Sequence, residues 1–248
     1  MRWKPDIANV TLSVVFAGAL FVQGCAKQEA SVTTCTESLD HISPNDWVWT
    51  ITSDPGDSNF ELLQKAIQCG ADVNAPDTVD GIPHGWPPVT LAAYGKAGDP
   101  TRHGNDSAWN ADAIRMLQLL VDHGAKLDAV NPDGANALML ATIGARVPVV
   151  KYLLDKGLDV NAKSNLNTNA LFGAVQSGNV ELVELLLAKG IEVNLVSKEN
   201  RTAMDMATQI ADDALQAQMR NAPGADPAKV VELLRKHGAK TAAELGVE

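Results

Sequence analysis

No Cys-x-x-Cys pair, no glycine-rich phosphate loop and no Gly-x-Ser-x-Gly elbow occurs in the 248 residues. Their absence removes the usual supports for thiol redox chemistry, zinc binding, phosphoryl transfer and serine hydrolysis. We therefore expect no enzyme, no catalytic residue, no cofactor and no metal. His84 and His103 stand near Asp80, Asp99 and Asp106 in sequence, but their spacing matches no ligand motif. A metal-binding enzyme built on them is the minor alternative. His123 and His237 each precede a glycine, where a cation complements a helix end. Asp212-Asp213 reads as a solvated helix face rather than an acid–base pair. Basic clusters are missing as well. Lys and Arg number 20 against 30 Asp and Glu, a net charge of −10, and nothing is arranged to neutralise phosphates, so nucleic acid is excluded as a partner. An acidic surface favours a cationic partner or simply confers solubility.

What the chain does have is repetition. Residues 138–161 read LMLATIGARVPVVKYLLDKGLDVN, and residues 171–194 read LFGAVQSGNVELVELLLAKGIEVN. Leu138 returns as Leu171, Ala141 as Ala174, Gly157 as Gly190 and Asn161 as Asn194, each after 33 residues. A fixed period of this size marks a stacked repeat. One such unit has too little interior to fold alone and must bury its apolar face against a neighbour. Helix-ending glycines extend the series as Gly70, Gly124, Gly157, Gly190 and Gly238, and first-helix alanines as Ala92, Ala141, Ala174 and Ala207. Gly70 and Gly124 are 54 residues apart, 21 more than one period. Five of the extra residues lie in the hairpin before Trp86 and 16 between the two helices of repeat 2. Repeat 5 carries 15 more between its helices. The implied fold is mainly α, a solenoid of about five helix–turn–helix repeats joined by hairpin fingers.

Taken in order, Ser43-Pro44 starts a capping helix that carries Trp47, Trp49 and Ile51. Asp54-Pro55-Gly56-Asp57 breaks it, and a second helix is expected over Phe60–Gln68. The second helix of repeat 2 is expected from about Ala111 to His123, with Ile114, Leu117, Leu120 and Val121 inward. Leu153, Leu154, Leu186 and Leu187 fill the later layers, and Pro148 fits the first turn of its helix. The last helix runs from Ala228 to Lys236.

Trp86-Pro87-Pro88-Val89-Thr90-Leu91-Ala92-Ala93 resembles the ankyrin signature TPLHxAA at its Pro and Ala positions. The resemblance covers about 45–240. Asn136, Asn169 and Thr202 stand where a side-chain oxygen caps the first helix. Met139, Phe172 and Asp205 occupy the signature's histidine position, so its threonine–histidine pair is missing and these repeats should be less rigid. What the resemblance implies is protein binding through a concave face. The positions two after the first-helix alanine would face that groove: Tyr94, Ile143, Gln176 and Gln209. Finger tips would add Asp133, Asn165, Leu166, Lys198, Glu199 and Arg201, and the enlarged first finger would add Asp80, His84 and Trp86. Trp86 and Trp109 read either as core under the insertions or as a binding anchor.

The amino terminus reads as an address. Arg2 and Lys4 precede an apolar run, Val10–Val22, that suits a signal-peptide core and is short for a membrane span of about 20 residues. Val22-Gln23-Gly24-Cys25 resembles a bacterial lipobox, with Gln23 departing from the small residue usual there. The expected organisation is a leader over 1–24, a lipid-anchored tether over 25–42 with lipid on Cys25, and the repeat domain over 43–248 with insertions near 95–110 and 210–227. The expected place is the periplasmic side of the outer membrane, with a soluble periplasmic protein as the alternative. Loss of Arg2, Lys4 and Asp6 takes the net charge from −10 to −11. Cys35 and Cys69 then remain, an even pair that reads as a disulfide in an oxidising compartment, or else as two unpaired thiols. A monomer is expected. The functional readings are an immunity-type inhibitor of an envelope-acting toxin and a scaffold or helper for an envelope enzyme.

Overall fold

A computed structural model of the chain describes residues 57–76, 78–79, 82–94, 107–212 and 225–247. The expected leader, Cys25, the tether, Cys35, the first capping helix and Asp80, Asp99, His103 and Asp106 lie outside them. Among the described residues the order is α1 (Asp57–Gln68), β1 (Thr78–Val79), β2 (Ile82–Pro83), α2 (Pro88–Tyr94), α3 (Ser107–Asp122), α4 (Ala137–Ile143) and α5 (Val147–Asp155). Then follow α6 (Ala170–Gln176), α7 (Val180–Ala188), α8 (Ala203–Asp212), α9 (Pro227–Lys236) and a 3-10 turn over Ala243–Leu245. Helices α2, α4, α6 and α8 pack side by side as an inner layer, and α3, α5, α7 and α9 stack behind them with α1 against α3.

Helices α2, α4 and α6 have seven residues each, too short to be stable alone. Packing and caps hold them. Asn136 accepts from the Met139 N–H at 3.0 Å and Asn169 from the Leu171 N–H at 3.1 Å, as expected of N-caps. Ala92, Ala141, Ala174 and Ala207 are buried, and their small side chains let the inner helices approach. At Gly173 the approach is closer still, because a Cβ there would strike the Thr142 hydroxyl. The outer helices bury the residues eight and four before each helix-ending glycine: Met116 and Leu120, Val149 and Leu153, Leu182 and Leu186, Val230 and Leu234. Burying each such leucine contributes about 1.5–3 kcal/mol.

Gly70, Gly124, Gly157, Gly190 and Gly238 all take φ between 78° and 90°. A Cβ would meet nothing within 4 Å at any of them, so the backbone conformation, not space, calls for glycine. Four residues after Gly70, Gly157 and Gly190 comes an asparagine that ties one finger root to the next. Asn74 donates to the Gly124 carbonyl and accepts from the Lys126 N–H. Asn161 does the same with Gly190 and Glu192, and Asn194 with Gly238 and Lys240. Asp128 holds this position between repeats 2 and 3.

The enlarged finger forms a two-residue ribbon, with Thr78 opposite Pro83 and Val79 opposite Ile82. After it the chain rejoins the regular register. A Cβ on Gly85 would strike Pro132, just as one on Gly134 would strike Asn165 one repeat later.

Three expectations are corrected. Helix α1 begins at Asp57 rather than Phe60, directly after the Pro55-Gly56 break in the sequence. Helix α3 begins at Ser107, four residues before the expected Ala111, and it also buries Ala113 and Met116. Its added turn is held from outside, by Arg146 of the next repeat. Helix α9 begins at Pro227, capped by Asp226.

Candidate functional site

The groove positions fall on one register. Trp86, Ala135, Thr168 and Arg201 are equivalent at the finger base, and Tyr94, Ile143, Gln176 and Gln209 are equivalent at the end of each inner helix. In repeat 2 the two positions touch, with the Trp86 and Tyr94 rings 5.7 Å apart between centroids and both half-buried. In repeat 5 they touch again, through a hydrogen bond from the Arg201 guanidinium to Gln209 Oε1. Between them Ile143 is 39 % exposed, a large apolar side chain left at the surface. Gln176 and Gln209 are exposed. The row therefore passes from aromatic to aliphatic to amide to cation.

The fingers recur on the same register. Asn131, Ser164 and Ser197 N–H groups bond the carbonyls of Ala135, Thr168 and Arg201, closing three equivalent turns whose tips are Gly134, Asn167 and Asn200 in the left-handed region. Neighbouring tips are bonded: the Asn165 N–H donates to Asp133 and the Lys198 N–H to Leu166, each at 2.9 Å. Asn165 also donates its amide to the Pro132 carbonyl, so this predicted contact residue is occupied in holding fingers together. Asp133, Leu166, Lys198, Glu199 and His84 are exposed, and Leu166 reaches 50 %. Among the sequence-predicted residues, Trp86 and Tyr94 are in contact, Arg201 and Gln209 are in contact, and Asp133–Asn165 and Leu166–Lys198 are bonded between neighbouring tips.

A family model described as Ankyrin repeats (3 copies) matches residues 53–164 and 106–197, together more than half of the chain. The chain belongs to the ankyrin-repeat family. A comparison with curated proteins finds no match. Ankyrin repeats are generally protein-interaction modules and typically non-enzymatic, which supports partner binding by this chain. The family match ends before α8, but the Asn194 clamp and the Gly238 turn carry the ankyrin geometry through the last helix pair.

Two features of this ankyrin protein were not read from its sequence. Arg146, 4 % exposed, lies in the turn between α4 and α5. Its Nε donates to Asn110 Oδ1 at 3.0 Å, and one terminal nitrogen donates to the Ala92 and Ala93 carbonyls, each at 3.0 Å. The other reaches the Trp109 carbonyl at 3.4 Å. Burial pushes its pKa down to about 10, so the cation persists at neutral pH. The carbonyl end of α2 supplies the compensating partial negative charge. One signal was present. Where repeat 4 has the capping Asn179, repeat 3 has a residue that cannot accept from a helix N–H and so serves another purpose. Trp109, left open as core or anchor, sits half-buried on the first turn of α3.

The second feature is Asp205. Its Oδ2 accepts from the Thr202 N–H and hydroxyl, each at 2.8 Å, and from the Ala242 N–H at 2.9 Å, while the Asp205 N–H returns a bond to the Thr202 hydroxyl. This reciprocal cap stands where the ankyrin signature has its threonine–histidine pair. Burial works to raise the Asp205 pKa, but the bonds from Thr202 and Ala242 and the nearby Arg201 charge outweigh it and hold the carboxyl below its usual value.

For the metal alternative, no group of three metal-binding side chains is found among the described residues. No described helix is long and apolar enough to cross a membrane.

Proposed function

We propose that this ankyrin protein is a lipid-anchored envelope protein that holds a partner protein on its concave face, and that the partner is an envelope-acting toxin it neutralises. The observation that carries the binding face is the half-buried Trp86–Tyr94 pair beside the exposed Ile143, an aromatic and aliphatic surface at one end of a polar row. Aromatic side chains dominate interface energies, and a mixed row of this kind suits a protein surface better than a small molecule, which prefers a deep apolar pocket.

The location rests on the sequence. A positive start, an apolar run and a lipobox-like Val22-Gln23-Gly24-Cys25 support export and lipid on Cys25. The disulfide belongs to the same proposal. Once Cys25 is given to lipid, Cys35 and Cys69 are the even pair that remains in an oxidising compartment, which supports a bridge between them. Such a bridge would keep the stack close to the lipid surface.

The test has two arms. Trp86→Ala and Tyr94→Ala should each weaken affinity for the isolated partner by about 1–3 kcal/mol, while Glu184→Gln on an outer helix leaves it unchanged. Normal binding by both groove variants, each shown to be folded by circular dichroism, rules out the concave face. Stoichiometric ankyrin protein should also silence the partner's toxic activity in envelope preparations. A partner whose enzymatic activity rises on binding points to the helper role instead. For the anchor, Cys25→Ser should abolish acyl labelling, and a variant that is still labelled sinks the lipobox reading.

A further inference from the structure

We infer that Arg146 is the positioning residue of the Trp86–Tyr94 recognition pair: reaching back from repeat 3, it fixes the end of α2 and so seats the Tyr94 ring against Trp86. This rests on the concave-face reading and deepens it.

The carbonyls it takes are those that a short turn closes elsewhere in the stack. An α-helix leaves its last four carbonyls without partners inside the helix. In repeat 3 the Ala141 carbonyl accepts from the Arg146 N–H at 3.0 Å, and the Thr142 carbonyl from the Ala145 N–H at 3.1 Å. In repeat 4 the Ala174 carbonyl accepts from the Ser177 hydroxyl at 2.9 Å, and the Val175 carbonyl from the Gly178 N–H at 3.0 Å. All of these donors belong to the turn that directly follows the helix. The equivalent carbonyls of repeat 2 are those of Ala92 and Ala93, and there the chain runs from Tyr94 into a long connection. Both accept from one terminal nitrogen of Arg146, at 3.0 Å each. A side chain of the next repeat thus stands where a short turn would place its own donors.

Repeat 3 makes room for this reach. Gly144 has φ −75°, a conformation open to any residue. Space is what calls for glycine: a Cβ there would lie 3.2 Å from the Arg146 Cγ and Cδ and 3.4 Å from the Tyr94 carbonyl oxygen. Repeat 4 has Ser177 at the equivalent place.

The consequence falls on the groove. Ala92 and Ala93 directly precede Tyr94, the last residue of α2, and a seven-residue helix has no stability of its own to hold that end. Trp86 stands just before the same helix, so the ring contact, 5.7 Å between centroids, spans α2 from end to end. It needs both ends of α2 held in place. An anchor held before the partner arrives costs less to order on binding.

The test needs no partner. The chain has two tyrosines, Tyr94 and Tyr152, so fluorine NMR of the full-length chain, labelled with fluorotyrosine and held in detergent micelles, should give two resonances. Tyr152→Phe assigns them, and Trp86→Leu marks where the Tyr94 resonance lies without the ring contact. Arg146→Gln should move the Tyr94 resonance toward that position and leave Tyr152 nearly unmoved. Arg146→Lys, whose single ammonium can approach both carbonyls, should bring it part of the way back. Gly144→Ser, which crowds the arginine stem without removing it, should move Tyr94 in the same direction. A Tyr94 resonance that stays in place in Arg146→Gln and in Gly144→Ser overturns the proposal and leaves the concave-face reading intact. If Arg146→Gln displaces both resonances equally, Gly144→Ser decides: displacement of Tyr94 alone sustains the proposal, and displacement of both or neither overturns it. A Tyr94 resonance unchanged by Trp86→Leu overturns the proposal and the reading together, because the pair would not be in contact.

Discussion

Repeats 3 and 4 differ from repeats 2 and 5 in how the two helices are joined. In repeats 3 and 4 the turn is three residues long, Gly144–Arg146 and Ser177–Asn179. In repeat 2, α2 ends at Tyr94 and α3 begins at Ser107; in repeat 5, α8 ends at Asp212 and α9 begins at Pro227. Each short turn serves the long connection beside it. Arg146 of repeat 3 takes the carbonyls of Ala92, Ala93 and Trp109 in repeat 2. In repeat 4, Asn179 bridges to Ala225, and the Gly178 carbonyl accepts the Asp226 N–H at 3.0 Å, at the return into α9. Lengthening a connection costs little chain entropy, since each doubling adds only about 0.6 kcal/mol. What an insertion loses is a set of backbone partners at its ends, and here the neighbouring turn supplies them.

The regular repeats should therefore carry the stability. Leu153→Ala or Leu186→Ala should cost about 2–5 kcal/mol, because both leucines are fully buried. The check is chemical denaturation, with Asn165→Ser and Lys198→Gln as finger-tip controls. Equal losses at the tips and in the core would erase the difference between fingers and layers.

Next in size is Arg146→Leu. It strips hydrogen bonds from the buried Ala92 and Ala93 carbonyls, the part-buried Trp109 carbonyl and Asn110, and should cost about 2–4 kcal/mol. The loss should be local, with faster amide exchange in α2 and α3 than in α6 and α7. By contrast, Asn179→Ala removes a cap and should cost about 1 kcal/mol. Uniform acceleration along the stack would mean that Arg146 holds the whole ankyrin array rather than the ends of one connection.

The period made most of this readable. Gly157 and Gly190, Ala141 and Ala174, Asn136 and Asn169 are local requirements of backbone conformation, close approach and capping, and such needs write themselves into single residues at fixed spacing. The groove register followed, because Tyr94, Ile143, Gln176 and Gln209 are fixed by counting from the alanines. Arg146 and Asp205 were not legible as what they are. Their partners, Ala92 and Asn110 in one case and Ala242 in the other, lie 54, 36 and 37 residues away, and two of those partners act through backbone groups. The start of α3 was misplaced for the same reason. Its first turn is held by Arg146, and no apolar period marks it.

Asp205 gives a smaller and pH-dependent effect. Asp205→Ala should cost about 1 kcal/mol at neutral pH, the usual worth of such a cap. Its folded pKa lies below the unfolded value near 3.8, so the stabilisation is complete above that value and lost as pH falls through the folded one. The difference between wild type and variant should thus be constant from pH 7 down to about 5 and shrink below 4. A difference that grows on acidification would show that the carboxylate destabilises the last repeat.

The smallest expected effect tests the joint between the regular and irregular halves. Asn74, Asn161 and Asn194 each donate to a glycine carbonyl in the next repeat and accept from the N–H two residues beyond it. The amide offers both a donor and an acceptor, whereas a carboxylate only accepts. Asp128 stands in that place between repeats 2 and 3, with Gly157 and Asp159 in register as its partners, and no hydrogen bond joins them among the described residues. A carboxylate has nothing to donate to the Gly157 carbonyl. Asp128→Asn should complete the ladder and raise stability by about 0.5–1.5 kcal/mol, the net worth of an ordinary hydrogen bond. Asn161→Asp should lower it by a similar amount. The measurement is the denaturant midpoint at unchanged slope, which reports stability alone. If Asn161→Asp costs nothing, the clamps follow the stack rather than hold it, and Asp128→Asn should then be silent as well. If Asn161→Asp is costly and Asp128→Asn is silent, the joint between repeats 2 and 3 is already held by Arg146 and the bonded finger tips, and it has no use for a clamp.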